Sequence, residues 1–392
     1  MSAQQLMAIG DLVEPVASWT PERDDPDGVF TYIDLSAVDQ DAKVIAGARE
    51  LACAEAPSRA RQLVRAGDVL ISTVRPNLNG VARVPGEFDG ATASTGFCVL
   101  RPRAGFLDGD YLFQWVKSPR FVSEMVRRAT GASYPAVSDG IVRESKLPLP
   151  LLAEQGRIAQ VLDKADALQA KRFEAIDQLT LLTQSVFLDM LGDPAANPKG
   201  WPRLELQELF EIARGGSPRP IEDFITGADD GINWIMIGDA TEGGKYITKT
   251  RKRIRPEGAN RSRSVKPGDF LLTNSMSFGR PYIMQTSGCI HDGWLVLSPK
   301  TTEFEPDYFY ALLGSRAVFT EFERRASGAT VKNLNIELVR SVSVPVAPVN
   351  EQREFARAVT AIERAASTMT ESLQELKRLT ASLQHLAFHG AL

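Results

Sequence analysis

Cysteine and histidine are scarce in this 392-residue sequence, and their scarcity excludes several kinds of site. The three cysteines, Cys53, Cys98 and Cys289, stand far apart, with neither CxxC spacing nor a histidine cluster nearby. A structural zinc site and a disulfide framework are therefore not expected. Two of the three histidines are His385 and His389, so catalysis by histidine has little to draw on.

Long hydrophobic runs are also missing. No stretch of about 18 or more uninterrupted apolar residues occurs, which argues against a transmembrane helix. Residues 1–10 have neither the basic nor the apolar segment of a signal peptide. The composition, 43% hydrophobic and 24% charged, is that of an ordinary globular protein, and we expect it to be cytoplasmic.

The short motifs of common enzyme chemistry are absent as well. The sequence has no strand–GxGxxG–helix loop for a dinucleotide or methyl donor, and no GxxxxGK[ST] phosphate loop. It has neither the Asn/Asp-Pro-Pro-aromatic tetrapeptide of DNA amino-methyltransferases nor a nuclease cluster of carboxylates and lysine. We therefore expect a non-catalytic chain with no metal ion or cofactor of its own.

Positive charge is concentrated in one segment, although the net charge of −4 alone would argue against nucleic-acid binding. Residues 249–266 read KTRKRIRPEGANRSRSVK, eight cations against the single acid Glu257. A local basic run on an acidic protein fits a surface that contacts phosphates. The alternative is a solvated, arginine-rich loop.

An internal repeat is the most informative feature that is present. GASYPAVS at residues 131–138 aligns with GATVKNLN at 328–335, a shift of 197. The same shift aligns RRATGA with RRASGA and Glu154-Gln155 with Glu351-Gln352. From Gly96 and Gly293 onward, the register holds without a gap for roughly ninety residues. The chain is therefore built twice from one module.

Upstream of this region the register drifts. YIDL at residues 32–35 matches WIMI at 234–237 with a shift of 202, and GDVLIST at 67–73 matches GDFLLTN at 268–274 with a shift of 201. Each module thus has one segment that tolerates insertions and one that keeps its length. A rigid scaffold with variable, site-bearing loops is the usual division of such a protein.

The drifting segment reads as mixed strand and helix. GDVLIST, GDFLLTN, GFCVLRP and GWLVLSP are short apolar runs bounded by turn residues, which predicts strands. YLFQWV and YFYALL predict short helices, each beginning after an aspartate able to cap it, Asp110 and Asp307. We expect an α+β globule of about 150 residues in each module.

Each module ends in a long helix, predicted over residues 154–190 and from 351 to about 389. Apolar residues there recur in alternating steps of four and three, the pattern of a coiled coil. Gln169 and Arg172 interrupt the first stripe, and Thr380 interrupts the second. The predicted core of the helix pair comprises Ile158, Leu162, Ala165, Ile176, Leu179, Val186, Phe355, Val359, Ile362, Met369, Leu373, Leu376, Leu383 and Leu386.

Two matching stripes in one chain most simply pack against each other. A helix of about 37 residues spans roughly 55 Å, and DNA half-sites are commonly read about 34–36 Å, one helical turn, apart. We expect an antiparallel pair that separates two globules related by a pseudo-twofold axis. The predicted domains are a first recognition domain at 1–150, a central spacer helix at 151–193, a second recognition domain at 194–347 and a C-terminal spacer helix at 348–392.

These features together resemble the specificity subunits of type I restriction–modification systems, over essentially the whole chain. The resemblance depends on an ordered series rather than on any single motif. The series is ARGGSPRP at 213–220, the duplicated Gly-Asp strands, GASYP and GATVKN, the proline-rich segment before Glu-Gln, the long helix, and AFHGAL at 387–392.

The resemblance implies two target-recognition domains, each reading half of a split, asymmetric sequence in double-stranded DNA. It also implies that the helices bind two modification (methyltransferase) subunits, and that two restriction (motor–nuclease) subunits can join. Catalysis would then reside in those partners, together with their S-adenosylmethionine, ATP and magnesium. One departure is that the first module has PVASWTPE at residues 15–22 where the second has RGGSPRP, which puts a DNA contact there in doubt.

Candidate DNA contacts follow from side-chain chemistry. Long cations suit phosphates, whereas arginine and asparagine suit bidentate contacts with guanine and adenine. Glycines beside Arg214 would let the backbone approach a phosphate. The candidates are Arg75, Asn77, Asn79, Tyr134, Arg214, Ser217, Arg219, Arg251, Lys252, Arg253, Arg261, Arg263, Asn274, Ser275, Arg280 and Lys332. The alternative for the asparagines is that they only form turns.

Two other functions remain open at this point. A helical-hairpin scaffold could join two protein-binding domains without any DNA. A stand-alone DNA enzyme with an unfamiliar site would show nuclease or methyltransferase activity in the isolated chain. DNA binding with a steep inverse dependence on salt would favour the recognition subunit.

Overall fold

Two long helices are shared between the two units into which the chain divides. The computed structural model describes residues 5–241, 244–274, 278–326 and 334–392. Unit 1 comprises Met1–Phe173 with Glu371–Leu392, and unit 2 comprises Glu174–Thr370. The helices span Leu152–Leu191 and Val349–Ala387, so each contributes its beginning to one unit and its end to the other.

Unit 1 is a mixed α/β globule closed by helical segments. Its strands are β1 (Leu6–Ala8), β2 (Val13–Glu14), β3 (Val29–Ile33), β4 (Val38–Asp39), β5 (Val44–Ile45), β6 (Arg49–Ala52), β7 (Ala60–Leu63), β8 (Val69–Ser72), β9 (Val81–Arg83), β10 (Thr92–Ser94), β11 (Phe97–Pro102) and β12 (Lys146–Pro148). Its helices are α1 (Pro21–Asp24), α2 (Gly109–Lys117), α3 (Pro119–Arg128), α4 (Asp139–Glu144) and the first part of α5 (Leu152–Leu191).

The central sheet of unit 1 has the order β2-β11-β8-β9, and the second sheet has the order β6-β3-β10-β7. Successive residues of a strand face opposite sides of its sheet. Val69 and Ile71 of β8 accordingly pack in the cluster that contains α2 and α5, whereas Leu70 packs in the cluster that contains the second sheet. Burial on both faces explains why this strand reads as a continuous apolar run.

Unit 2 repeats this plan with one more strand in each of its two main sheets. Its strands are β13 (Arg203–Glu205), β14 (Phe210–Arg214), β15 (Ile225–Thr226), β16 (Ile232–Ile235), β17 (Tyr246–Ile247), β18 (Lys252–Ile254), β19 (Arg263–Val265), β20 (Phe270–Thr273), β21 (Pro281–Met284), β22 (Gly288–Ile290), β23 (Trp294–Pro299) and β24 (Ser343–Pro345). Its helices are α6 (Leu206–Leu209), α7 (Ile237–Thr241), α8 (Pro256–Ala259), α9 (Pro306–Leu313), α10 (Arg316–Ala326), α11 (Ile336–Arg340) and the first part of α12 (Val349–Ala387).

The sheets of unit 2 show where the insertions lie. Their orders are β14-β23-β20-β21-β17 and β15-β18-β16-β22-β19, so β17 and β15 each extend a sheet that has four strands in unit 1. In both units one parallel pairing joins the strand from the YIDL or WIMI segment, β3 or β16, to β10 or β22. The strands predicted from the Gly-Asp segments are confirmed as β8 and β20.

The caps of the short helices differ from the prediction. Asp108, rather than Asp110, caps α2 by accepting a hydrogen bond from the Tyr111 N–H at 2.9 Å. The residue before α9 is Glu305, which makes no capping hydrogen bond, and Asp307 instead binds Lys245. Both predicted capping residues lie inside the first turn, because each helix begins two residues earlier than the sequence pattern indicated.

All but one of the residues predicted for the apolar stripes on α5 and α12 are at least partly buried. Buried or partly buried are Ile158, Leu162, Ala165, Ile176, Leu179, Val186, Phe355, Val359, Ile362, Met369, Leu373, Leu376 and Leu383. The prediction for Leu386 is wrong, since its side chain is exposed. The inward position after Leu383 is four residues on, at Ala387, and Phe388 beside it is also buried.

The polar interruptions of the two stripes meet in unit 1. The Gln169 side-chain amide donates a hydrogen bond to the Thr380 hydroxyl at 2.7 Å, and that hydroxyl donates to the Leu376 carbonyl at 2.8 Å. Nearer the other end of the same pair of segments, the Arg157 guanidinium donates to the Leu392 carbonyl. The two contacts run in opposite sequence directions, so these segments are antiparallel within unit 1.

Candidate nucleic-acid interface

Three predicted residues of the RGGSPRP segment converge on Asp292, which the sequence did not single out. The Ser217 hydroxyl donates to the Asp292 carboxylate at 2.8 Å, and Arg219 lies 3.4 Å from the same carboxylate. Arg214, at the end of β14, donates to the Asp292 carbonyl at 3.1 Å. The hydrogen bond from Ser217 lowers the pKa of Asp292, so this cluster keeps an ionised carboxylate among its cations.

The glycines of this segment have a structural role. A Cβ at Gly215 would lie 2.0 Å from the carbonyl oxygen of His291, and one at Gly216 would lie 3.2 Å from the carbonyl oxygen of Arg261. The backbone at these two glycines therefore lies too close to neighbouring backbone for a side chain to fit. Such a close approach is a common reason for glycine in or beside a sheet. This packing gives the two glycines a role that needs no phosphate, and the predicted phosphate contact stays a prediction.

The burial of Asn274 contradicts the prediction that it contacts a base. Only 1% of its surface is exposed, and its side-chain amide donates to the Asp292 carbonyl at 2.7 Å. Its own backbone carbonyl accepts from the Leu334 N–H at 2.9 Å. A buried amide that is already hydrogen-bonded to Asp292 does not reach a base edge. The predicted contacts Ser275 and Lys332 lie outside the described residues.

A cavity of about 780 Å³ opens beside the Asp292 cluster. Trp234, Met236, His291 and Lys252 line it, together with residues 217–222 and 225. Burial lowers the pKa of His291, which favours its neutral form. The cavity thus combines an apolar wall with cations at Arg219 and Lys252, both of which are exposed.

The basic run does not form one continuous stripe. Lys252 and Arg253 lie on β18, whereas Arg263 lies on β19, and β16 and β22 stand between those strands in the sheet. At about 4.8 Å per strand, the two groups are roughly 14 Å apart. All eight cations of the run are exposed, among them the predicted contacts Arg251, Lys252, Arg253, Arg261 and Arg263. Their exposure leaves them able to contact phosphates at several points across the sheet rather than at one.

In unit 1 the candidates lie in one turn and one neighbouring loop. Arg75 and Asn77 are exposed, and the guanidinium carbon of Arg75 lies 4.9 Å from the ring centroid of Tyr134. Asn79 is partly buried, and its side-chain amide donates to the Lys117 carbonyl at 3.3 Å. Asn79 therefore holds the turn in place. This agrees with the alternative that the asparagine forms a turn and does not contact DNA. Arg280 of unit 2 is exposed and lies 5.5 Å from the ring centroid of Tyr282.

Each globular part is tied to a long helix by residues at equivalent positions of the repeat. The Tyr111 hydroxyl donates to the Pro148 carbonyl at 2.7 Å, and the Tyr308 hydroxyl donates to the Pro345 carbonyl at 3.0 Å. Gln155 and Gln352, from the two Glu-Gln pairs, are both buried. Their side-chain oxygens accept from the backbone N–H groups of Asp108 and Glu305, so the repeated residues form the junctions between globule and helix.

Acidic residues 197 positions apart, Asp166 on α5 and Glu363 on α12, anchor a lysine in each unit. Lys117 binds Asp166 in unit 1. Lys245 binds both Glu363, at 2.8 Å, and Asp307 in unit 2. Burial alone would lower the pKa of Lys245, but these hydrogen bonds raise it above its usual value. Asp166 and Glu363 occupy equivalent positions of the repeat, so a comparison of the two modules can find them. Lys117 and Lys245 occupy non-equivalent positions, so the same comparison cannot pair them.

A family comparison decides the class of this protein. The profile described as "Type I restriction modification DNA specificity domain" matches residues 63–179 and 198–378. The chain belongs to this family. It is therefore a DNA specificity subunit of the type I restriction–modification kind, and the scaffold without DNA is not favoured.

Individual relatives agree with this assignment. The chain is 24% identical over 310 residues to the type I restriction enzyme EcoBI specificity subunit of Escherichia coli, covering 70% of this chain and 64% of that one. It is 22% identical over 343 residues to a putative MjaX specificity subunit of Methanocaldococcus jannaschii, covering 83% and 78%. The match thus spans just under two thirds of the EcoBI subunit's length.

Solved structures extend the likeness over the whole chain. A chain from a structural study of complex assembly and conformational transition of the type I R-M system has a TM-score of 0.73 and 27% identity, covering 100% of this specificity subunit and 99% of that chain. The HsdS subunit from Thermoanaerobacter tengcongensis has a TM-score of 0.50 and 27% identity, with 100% and 98% covered. None of the helices in the described ranges combines the length and the hydrophobicity of a membrane span.

Proposed function

We propose that this specificity subunit recognises a split, asymmetric sequence in double-stranded DNA, one half through each recognition domain. The domains are those predicted from the sequence, at residues 1–150 and 194–347. The helices at 151–193 and 348–392 form an antiparallel spacer that sets the distance between the two halves. The two modules are related by a pseudo-twofold axis in this arrangement.

The observation that carries this proposal is the contrast between the junctions and the exposed loops. Tyr111 and Tyr308, with Gln155 and Gln352, make equivalent hydrogen bonds at the two globule–helix junctions. The exposed cations differ in number and setting. Unit 2 carries Lys252, Arg253 and Arg263 on β18 and β19. On the matching strand β6, unit 1 has Arg49, which is paired with Asp34, and it presents Arg75 in a turn. A common frame with different surfaces suits two different half-sites.

The helices are also the proposed docking frame for partners. Several large apolar side chains on α5 are exposed, among them Phe173 and Leu181. Two methyltransferase subunits would bind along the helices, and two motor–nuclease subunits could join the assembly. Methyl transfer and cleavage would belong to those subunits, with their S-adenosylmethionine, ATP and magnesium. The chain itself would be non-catalytic and cytoplasmic.

The decisive experiment is methylome sequencing. The chain is expressed with the methyltransferase of its own system in a host that lacks other adenine methylation. We expect a split, asymmetric motif to become methylated, and neither subunit alone to methylate DNA. The absence of any split motif in cells that contain the assembled complex would reject the proposed function. Activity of the isolated chain would favour the stand-alone enzyme instead.

Phosphate contact by the basic residues is tested by Lys252→Ala. Lys252 is exposed on β18, and a protein that loses one phosphate contact releases fewer counterions. We expect the slope of log K against log salt concentration to become shallower by about 0.9, with DNA binding weakened equally for all sequences. Fluorescence anisotropy of the assembled complex on duplex DNA, over a salt series, measures this slope.

Arg157→Ala is the matched control for that measurement. Arg157 is also an exposed cation, but its guanidinium is held by Glu154 at 2.7 Å on the surface of α5. We expect the control to leave the salt slope unchanged. An equal change in both variants would mean that the slope reports overall charge and not a contact at Lys252.

A further inference from the structure

The turn that follows β8 has an unusual backbone. Arg75 and Asn79 both adopt left-handed conformations, with φ of 50° and 47°, and residues Pro76–Leu78 form a short 3₁₀ turn between them. Asparagine tolerates this region, but a left-handed arginine is uncommon and costs of order 1–3 kcal/mol. Such residues persist only where the surroundings hold them in place.

The surroundings of Arg75 do hold it. The Arg75 N–H donates to the Pro135 carbonyl at 2.7 Å, and Val74 and Ala136 form a β-bridge. From the other side, the Lys43 ammonium donates to the Asn79 carbonyl at 2.6 Å. The turn is therefore clamped between the GASYP loop and the body of unit 1, and the direction in which Arg75 leaves the backbone is fixed.

The side chain of Arg75 is oriented by an aromatic ring. Its guanidinium carbon lies 4.9 Å from the ring centroid of Tyr134, whose own side chain is 69% exposed. Gly131, at φ 101°, permits the sharp turn of this loop, because a Cβ there would lie 2.8 Å from the Tyr134 carbonyl oxygen. Within the described ranges, no hydrogen-bond or ion-pair partner is found for the guanidinium, and Arg75 is exposed.

We propose that Arg75, stacked on Tyr134, reads a guanine in the half-site of the first recognition domain; this inference rests on the proposed function. A guanidinium presents a rigid pair of N–H donors that matches the O6 and N7 acceptors of guanine in the major groove. Stacking on the exposed ring orients that pair before DNA arrives, so less side-chain entropy is lost on binding.

A base contact is favoured over a phosphate contact by the rest of the turn. Asn77 and Leu78 are exposed beside Arg75. An asparagine amide and an apolar side chain match adenine edges and thymine methyl groups, respectively, and neither carries a positive charge. A clamped turn that combines these three side chains is suited to base edges.

The test compares methylated motifs for four variants of the full complex: Arg75→Ala, Arg75→Lys, Tyr134→Phe and Tyr134→Leu. In the wild type we expect guanine at one position of one half-site. Arg75→Ala should reduce discrimination at that position by about 5- to 150-fold. Arg75→Lys should reduce it less, because an ammonium can still donate to O6 and N7 but lacks the planar fork that the Tyr134 ring orients. Tyr134→Phe, which keeps the ring, should preserve the discrimination, and Tyr134→Leu should weaken it.

The second half of the same motif is an internal control, since it stays unchanged in any variant that folds and assembles. Relaxation confined to one guanine position supports the inference. A uniform loss of methylation in Arg75→Ala that Arg75→Lys restores would establish a phosphate contact and overturn it, as would an unchanged motif in both arginine variants. A wild type that yields no split motif would reject the proposed function itself.

Discussion

Removing one turn from each long helix should shorten the spacer of the methylated motif by about two base pairs. The deletion takes out residues 172–175 of α5 and 374–377 of α12, which lie opposite each other in the register set by the contacts Gln169–Thr380 and Arg157–Leu392. Four residues correspond to about 6 Å along a helix, close to two base-pair steps of about 3.4 Å. If the two helices set the distance between the recognition domains, the half-sites that these domains bind must lie closer to each other by that amount.

These segments are chosen to keep the remaining core in place. Four residues advance about 40° beyond a full turn, a shift of the kind that coiled coils accommodate as a stutter. The hydrogen bond between Gln169 and Thr380 in unit 1 is retained, as is the packing of Phe187 on Phe355 in unit 2 at 5.4 Å. Methylome sequencing of the deletion, expressed with its methyltransferase, gives the new spacer.

The control keeps the length and changes only the sequence. Alanine at all eight positions leaves both helices as long as before, so the spacer should be unchanged. A deletion that assembles and methylates with the original spacer would reject the spacer as a ruler. A deletion in one helix alone should instead break the pairing of the two stripes and lower the yield of assembled protein.

Phe388→Ala should lower the free energy of unfolding of unit 1 by about 3–5 kcal/mol, the usual cost of removing a buried aromatic side chain. Phe388 is 3% exposed, and its ring lies 5.0 Å from Trp115 and 5.6 Å from Tyr111. It attaches the end of α12 to the globular part of unit 1. Thermal or urea unfolding, with Trp fluorescence as one probe, measures the loss.

Phe173→Ala is the matched control, because this phenylalanine lies on α5 and is 60% exposed. We expect its effect on stability to stay within about 0.5 kcal/mol. Equal losses for the two variants would contradict the docking role of Phe388. Unit 2 has an equivalent contact. The ring centroid of Phe187, near the end of α5, lies 6.1 Å from that of Tyr308, the repeat equivalent of Tyr111.

Periodicity identified the frame of this protein because the frame is governed by local spacing. Strands such as β8 are buried on both faces and read as apolar runs, and the helices carry steps of four and three. The error at Leu386 arose where the helix ends and the step changes. Gln169 and Thr380 looked like two separate defects, since nothing local reveals that they face each other.

The candidate interface was less accessible to sequence reasoning because it depends on tertiary pairing. Asp292 precedes an unremarkable strand, and its role appears only when β14 and β23 pair and bring Ser217 and Arg219 to it. The contiguous basic run is divided by strand order, which spacing along the chain does not encode. Asn274 has the side chain of a base reader but is buried by the fold.

Unit 1 is discontinuous in sequence, and this has a consequence for synthesis. The segment that supplies Phe388, Glu371–Leu392, follows Phe173 by about 200 residues. At about 5–20 residues per second, the first globule waits roughly 10–40 s on the ribosome for that segment. Until that segment has been translated, Phe388 cannot pack on Tyr111 and Trp115. Unit 2 is encoded without interruption, so the half of the protein that is translated second is the first that can finish folding.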